Sequence, residues 1–193
     1  MIEILGVLAI IGVLTVGSIT GYSHAMRRHL LNKQREQIST ILATIETQYG
    51  ALKSSASDLS TNPLSIFKNL GWVPEDMIQD NTGFVYDIFK NRALFKMVRA
   101  PTYQLLGFYV YLNNGNAFEQ CVNLYQVAIP FHSSLYAVEI HQDDGYGSIR
   151  LGDMSCSANN CLRNSTPSDI ARFCQRCKDN SMCNIYYFWR FER

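Results

Sequence analysis

The chain has 193 residues, a formal net charge of +1 and only 17% charged residues. A charge so close to zero gives no electrostatic argument for nucleic-acid binding, which normally needs a strongly basic surface. The length allows a long N-terminal helix followed by one domain of about 140 residues, which is a common domain size.

The chain begins with an apolar segment. No charged residue occurs from Ile4 to Ser23, and about 20 apolar residues in a helix are enough to cross the hydrocarbon core of a bilayer. The segment therefore predicts a membrane span. It also contains small residues that let helices approach closely, which favours packing against other helices: Gly6, Gly12, Gly17, Ser18 and Gly21.

Glu3 stands at the head of this segment, where a signal peptide would carry positive charge. An unpaired acid costs roughly 2.5 to 3.5 kcal/mol to insert into a membrane. We therefore expect Glu3 to have a partner of opposite charge.

The segment from Met1 to Ser23, which starts Met-Ile-Glu-Ile-Leu-Gly-Val-Leu-Ala-Ile-Ile-Gly-Val-Leu, closely resembles the mature N-terminus of type IV pilins and pseudopilins. The resemblance implies a leader that prepilin peptidase removes after a glycine, a methylated N-terminal residue, and apolar helices bundled in a filament core. It implies that Glu3 neutralises the N-terminal amine of an adjacent subunit in low dielectric. The helix-packing residues would be Ile4, Leu5, Leu8, Ile11 and Leu14.

The register of this resemblance differs by two positions. The family glutamate is the fifth mature residue, whereas Glu3 is the third residue here. We expect either that two upstream residues are missing from this chain or that the register of the chain itself differs.

Residues 12 to 21 are the weakest helical stretch of the first segment, because glycine costs about 1 kcal/mol relative to alanine in a helix. We predict local unwinding between Leu14 and Tyr22 when the subunit is in a filament. Pilins often carry a proline in this region, and Gly17, Ser18 and Gly21 would replace it.

Helical periodicity continues beyond the apolar segment, with polar residues Lys33, Arg35, Glu36, Gln37 and Thr40 on the opposite face. We predict a helix over residues 1–53, divided into a membrane or filament-core part (1–23) and an amphipathic part (24–53) that packs on a head formed by residues 54–193. His24, Arg27, Arg28 and His29 would form a solvated basic collar between the two parts. The apolar positions are Leu31, Ile38, Ile41, Leu42, Ile45, Tyr49 and Leu52.

The head has a mixed pattern. Pro63 and Gly71 bound a short predicted helix, and Ala117 to Ala128 has helical spacing. β-Branched and aromatic runs predict antiparallel strands, namely 84–89, 94–98, 105–112, 135–141, 146–151 and 185–191. The predicted class is α+β, with a long N-terminal helix on an antiparallel sheet and a disulfide-rich C-terminal region. The segment Leu-Gly-Trp-Val-Pro-Glu-Asp-Met resembles, more weakly, the stalk-to-sheet link of type IVb pilins.

All six cysteines lie in the last 73 residues, and an even number behind a membrane segment indicates a disulfide framework. Sequence leaves the pairing open, while the pilin resemblance implies a bond from the first cysteine to a late one. Few large apolar residues occur between Asp153 and Asn184, so we expect cross-links to replace a core there. The spacing also admits a zinc site or a redox CxxC motif. The cysteines are Cys121, Cys156, Cys161, Cys174, Cys177 and Cys183.

The sequence thus predicts a structural subunit of a type IV pilus-like surface filament, with no enzymatic activity, cofactor or specific nucleic acid. Its partners would be copies of itself and the pilus assembly machinery, first in the bacterial inner membrane and then in an extracellular filament. Two alternatives stay open: a pseudopilin or minor pilin of a type II secretion system, and a membrane-anchored zinc-binding or thiol-redox domain.

Overall fold

A computed structural model describes residues 2–56, 59, 62–79, 83–112, 116–142, 147–157, 160–178 and 183–192, with the side chains of the first helix described from Ile19 onward. The helices are α1 (Ile2–Thr47), α2 (Tyr49–Ser55), α3 (Leu64–Asn69), α4 (Ala117–Ala128) and α5 (Pro167–Cys174). The strands are β1 (Val85–Tyr86), β2 (Arg92–Arg99), β3 (Tyr103–Leu112), β4 (Ala137–Gln142), β5 (Gly147–Leu151) and β6 (Cys183–Glu192). Short 3-10 turns cover Glu75–Met77, Ile129–Phe131, Leu162–Asn164 and Gln175–Lys178.

The second half of α1 packs into the head through an apolar stripe. Ile38, Ile41, Leu42 and Ile45 are at most 1% exposed and belong to the hydrophobic core. Their spacing of three and four residues places them on one face of the helix, as the sequence predicts. Gln37 contradicts its predicted placement on the polar face, because its side chain is only 2% exposed.

The strands form one antiparallel sheet in the order β1-β2-β3-β6-β4-β5. The last strand of the chain therefore lies between β3 and β4. On the inner face, Phe95, Phe108 and Trp189 are at most 1% exposed and pack into the core with α1 and α4. The α+β class and the disulfide-rich C-terminal region are confirmed.

The first strand is much shorter than predicted. Only Val85 and Tyr86 pair with β2, whereas the sequence pattern extends the strand to Phe89. The chain turns at Asp87, whose Oδ1 accepts hydrogen bonds from the backbone N–H groups of Phe89 and Asn91 at 2.9 Å each. An aspartate that binds nearby backbone in this way competes with the strand ladder.

Residues of the C-terminal region belong to the hydrophobic core of the head, which corrects the expectation that cross-links replace a core there. Thr166 and Asp169 form a capping box at the start of α5, so this helix begins at a well-defined position. Ile170 and Phe173 of α5 are 4% and 3% exposed. The Phe173 ring lies 4.6 Å from that of Tyr125 on α4, in an edge-to-face arrangement.

Gly107 makes room for a tyrosine on the outer face of the sheet. A Cβ atom at Gly107 would lie 2.4 Å from Cε2 of Tyr109 and 3.0 Å from Cε1 of Phe188. The Tyr109 ring therefore lies across the backbone of β3. Burial there, with the nearby Tyr186, Tyr111 and Glu139, raises the pKa of Tyr109 from 10.0 to about 12.

The raised pKa of Tyr109 predicts an alkaline loss of stability. The unfolded phenol ionises near 10.0 and the folded one near 12, so the contribution of Tyr109 is complete below pH 10.0 and is lost as pH rises to about 12. Chemical denaturation across this range should show that Tyr109→Phe loses less free energy of unfolding than the unchanged protein. Equal losses in the two proteins would contradict the burial of this ring.

Candidate functional site: the first helix and its attachment to the head

The first helix changes character along its length. All residues from 19 to 29 are exposed, in contrast to the buried stripe that begins at Gln34. Ile19, Tyr22 and Met26 are 63%, 71% and 44% exposed. Their spacing of three and four residues places them on one face of the helix. This part of α1 therefore presents an apolar stripe that the head does not cover.

The sequence-predicted assembly residues lie in the same helix. The backbone of Glu3, of the packing residues Ile4, Leu5, Leu8, Ile11 and Leu14, and of Gly17 and Ser18 is helical, while their side chains lie outside the described part of the chain. Gly21 is exposed, and a Cβ added to it would meet no atom within 4 Å. The backbone is helical throughout Leu14 to Tyr22, so the unwinding predicted for the filament stays a prediction. A search of the described residues finds no helix that is both long and apolar enough to span a membrane.

A buried group of amides and one carboxylate joins α1 to the head. This polar cluster consists of Gln34 on α1, Asp87 and Asn91 between β1 and β2, and Gln120 and Asn123 on α4. Gln34, Asn91 and Gln120 are fully buried, and Asp87 and Asn123 are 1% and 6% exposed. Buried polar groups are costly unless they are hydrogen-bonded, so their mutual bonds constrain how the three elements fit together.

Gln34 lies at the centre of the polar cluster. Its Nε2 donates to Asp87 Oδ2 at 2.7 Å and to Gln120 Oε1 at 3.2 Å. Its Oε1 accepts from Nδ2 of Asn123 at 3.1 Å, and the same Asn123 amide donates to the carbonyl of Leu31 at 2.9 Å. Asn91 Nδ2 donates to Asp87 Oδ2 at 2.9 Å and also to Gln120 Oε1. A shift of α1 by one residue would break all the bonds made by Gln34.

Asp87 is the only ionisable member of the polar cluster. Burial raises its pKa above the usual 3.8, and hydrogen bonds from Gln34, Asn91 and the backbone offset this only in part. The carboxylate accepts two backbone and two side-chain hydrogen bonds, so its removal would leave several buried donors without acceptors.

Charged side chains surround the polar cluster at the surface. Arg27 forms an ion pair with Glu119 at the start of α4. Six residues further along α1, Lys33 Nζ lies 3.2 Å from Asp76 Oδ2. Arg35 Nη2 donates to Gln126 Oε1 on α4 at 2.9 Å. These partly exposed contacts add little stability individually, but they extend the attachment over two turns of helix.

The predicted basic collar is thus divided. Arg27 is engaged with the head, whereas His24, Arg28 and His29 line an open concavity of about 550 Å³ together with Gly21 and Asn32. The division follows from helical geometry, since Arg27 and Arg28 point about 100° apart around the helix.

The structure pairs the six cysteines in three disulfides. Cys121–Cys174 joins α4 to the end of α5, in agreement with the pairing that the pilin resemblance implies for Cys121. Cys177–Cys183 holds the start of β6, and Cys156–Cys161 closes a short loop.

A zinc site would need free cysteine thiolates, and a redox CxxC motif would need its two cysteines bonded to each other. The sulfur atoms of Cys121, Cys177 and Cys183 all lie within 4.8 Å of one another. Each is bonded in a disulfide, and a metal-binding cysteine must be a free thiolate, so zinc would require reduction first. The two cysteines of the CxxC motif, Cys174 and Cys177, bond to different partners rather than to each other.

Sequence reasoning missed the polar cluster, although part of the signal was present. Gln34 and Gln37 each precede an apolar stripe residue by four positions, namely Ile38 and Ile41. Side chains four residues apart share a helix face, so both glutamines belong to the buried face. No comparable signal identifies Asp87 or Gln120 as partners of α1, because Gln34 is 53 residues from Asp87 and 86 residues from Gln120 along the chain.

Comparison of the chain with protein-family models, curated proteins and solved structures finds no match.

Replacement of Asp87 tests the polar cluster. Asp87→Ala removes one of the two acceptors of the Gln34 and Asn91 side-chain amides and the Oδ1 acceptor of two backbone N–H groups, so we expect a loss of about 3 to 5 kcal/mol in the free energy of unfolding. The matched control is Glu36→Ala, which removes a carboxylate that is 67% exposed and should cost less than about 1 kcal/mol. Denaturant unfolding measures both; similar losses would contradict the role of the polar cluster.

The pKa of Asp87 also predicts a pH dependence. Because its folded pKa lies above 3.8, the contribution of Asp87 to stability is complete below pH 3.8 and is lost as pH rises through the folded pKa. The stability of the unchanged protein relative to Asp87→Asn should therefore increase as pH falls towards 3.8. If the stability of the unchanged protein relative to Asp87→Asn decreased as pH fell, the hydrogen bonds to Asp87 would lower its pKa more than burial raises it.

Proposed function

We propose that this chain is a structural subunit of a type IV pilus-like surface filament. One observation carries the proposal: α1 is a continuous helix of 46 residues whose second half is buried in the head while residues 19–29 are exposed. The exposed part continues directly from the Met1 to Ser23 segment that resembles a pilin N-terminus.

The proposed filament forms because the apolar segments bury one another. Burial of apolar surface contributes about 25 cal/mol per Å², and the exposed stripe of Ile19, Tyr22 and Met26 would extend the buried contact towards the heads. Glu3 would lie opposite the N-terminal amine of a neighbouring subunit, and this pairing in low dielectric would select the register of assembly. Before assembly the same segment would hold the subunit in the inner membrane.

The attachment of α1 supports such a role. A filament transmits load between subunits through the core helices, so the head must not rotate or slide on its own helix. The polar cluster fixes the register of α1 against α4 through Gln34, Gln120 and Asn123. An apolar interface alone would tolerate small slips more easily, because apolar contacts are not directional.

A pseudopilin or minor pilin would use the same N-terminal segment in a shorter assembly, and the experiment below distinguishes it by abundance. The zinc-binding or thiol-redox alternative finds less support, because all six cysteines are bonded in disulfides.

The test is negative-stain electron microscopy of material sheared from cells that make this chain, with mass spectrometry of its N-terminus. We expect thin filaments composed of this chain, starting with a methylated residue at Met1 or two positions before it. If the protein were found only in the membrane fraction, without filaments, the result would contradict the filament subunit and favour a pseudopilin or minor pilin.

Replacement of Glu3 tests the assembly role within that system. Glu3→Ala should reduce filament yield by about tenfold or more, because the carboxylate that selects the register is lost. Glu46→Ala, in the second half of α1, is the matched control and should assemble normally. Immunoblots of sheared and cell fractions compare yield with expression. Normal filament yield from Glu3→Ala would exclude the assembly role of this carboxylate.

A further inference from the structure

The outer face of the sheet carries a set of aromatic rings on its two central strands. The aromatic face consists of Tyr103, Tyr109 and Tyr111 on β3 and Tyr186 and Phe188 on β6. The rings contact one another: the centroids of Tyr109 and Tyr186 are 4.3 Å apart, and those of Tyr109 and Phe188 are 5.7 Å apart. Sheets with one packed face usually present polar residues on the other, so this composition is unusual.

The aromatic face lies outside the hydrophobic core. None of its rings belongs to the core cluster, which consists of the opposite face of the sheet together with α1, α4 and α5. At its margins, Val98 on β2 and Ile149 on β5 are 37% and 39% exposed. The four tyrosines are partly exposed and Phe188 is 8% exposed, so the tyrosine rings are the part of this face that a ligand can contact.

Cations lie along one side of the aromatic face. The guanidinium of Arg92 stands 4.5 Å from the ring centroid of Phe84 and 4.8 Å from that of Tyr111, and Lys96 is exposed four residues further along β2. Within the part of the chain that the structure covers, no carboxylate forms an ion pair with either cation. An uncompensated pair of cations beside stacked rings attracts an anionic group.

The other side of the aromatic face provides hydrogen-bonding groups. Glu139 and His141 on β4 are joined at 2.8 Å, and the His141 ring stacks on Tyr186 at 4.8 Å. Between Tyr111 and His141 lies Asn184, which is 8% exposed and whose Oδ1 has no hydrogen-bond partner among the described residues. A shallow cavity of about 220 Å³ adjoins this side, lined by Glu139, His141, Gly147, Ser148 and Ile149.

We propose that the aromatic face binds an acidic oligosaccharide. Flat tyrosine rings such as Tyr109 suit the apolar C–H faces of pyranose rings, and amide and carboxylate oxygens of Asn184 and Glu139 accept hydrogen bonds from sugar hydroxyls. The acid group of the sugar would lie over β2, against Arg92 and Lys96. Single-stranded nucleic acid fits less well, because a formal net charge of +1 provides little attraction for a phosphate backbone.

The proposal is independent of filament assembly and can be tested on the dispersed subunit. Calorimetric titration of the full chain in a mild detergent would use tetragalacturonate, its fully methyl-esterified and therefore neutral form, a hyaluronan tetrasaccharide and oligo-dT. We expect an acidic sugar to bind at least about tenfold more tightly than the neutral ester. Failure of both acidic sugars to bind, equal affinity for the neutral ester, or tighter binding of oligo-dT would each overturn the proposal.

Variants then locate the site. Tyr186→Ala should weaken binding of the acidic sugar by about tenfold, which corresponds to about 1.4 kcal/mol. Lys96→Gln, an exposed position with no role in packing, should reduce the preference for the acid over the ester and leave the melting temperature unchanged. Tyr22→Ala is the matched control, since this tyrosine is 71% exposed on α1, away from the sheet. Binding that survives both Tyr186→Ala and Lys96→Gln would exclude the aromatic face as the site.

Discussion

The hydrogen bonds of Gln34 are the constraint on which the rest of the structure depends. Its amide connects α1 to the turn at Asp87 and to α4 at the same time. C-terminal to Gln34 on the same helix, the side chains of the apolar stripe from Ile38 to Ile45 are buried in the head. The stripe drives association of the helix with the head, while the directional bonds of Gln34 fix its register.

Helix α4 connects this attachment to the rest of the head. One face of α4 meets α1 through Glu119, Gln120 and Asn123. Cys121 on the same helix is bonded to Cys174 at the end of α5. A force applied to α1 would therefore reach the disulfide-linked C-terminal region through α4 as well as through the shared hydrophobic core. This arrangement suits a subunit whose head must follow its helix.

The sequence predicted the parts of the fold that local periodicity controls. The apolar stripe of α1, α3, α4 and most strands follow from spacing of three to four residues or from alternation. Periodicity could not place β6 between β3 and β4, because strand order is set by packing of the whole sheet. Periodicity also could not reveal the polar cluster, because Asp87 ends a strand that the residues around it favour. Nor could it reveal the core contacts of Phe173, because its partner Tyr125 is distant in sequence. Tertiary contacts decide such positions, and no local pattern encodes them.

Hydroxyl-radical footprinting of the assembled and dispersed protein tests the proposal that α1 attaches to the head at one end and to other subunits at the other. Tyr22 and Met26 are 71% and 44% exposed in the subunit, whereas Met77 in the core is fully buried. We predict that Tyr22 and Met26 are oxidised in the dispersed chain and protected after assembly, while Met77 is protected in both. Equal oxidation of Tyr22 and Met26 in the two states would contradict the account.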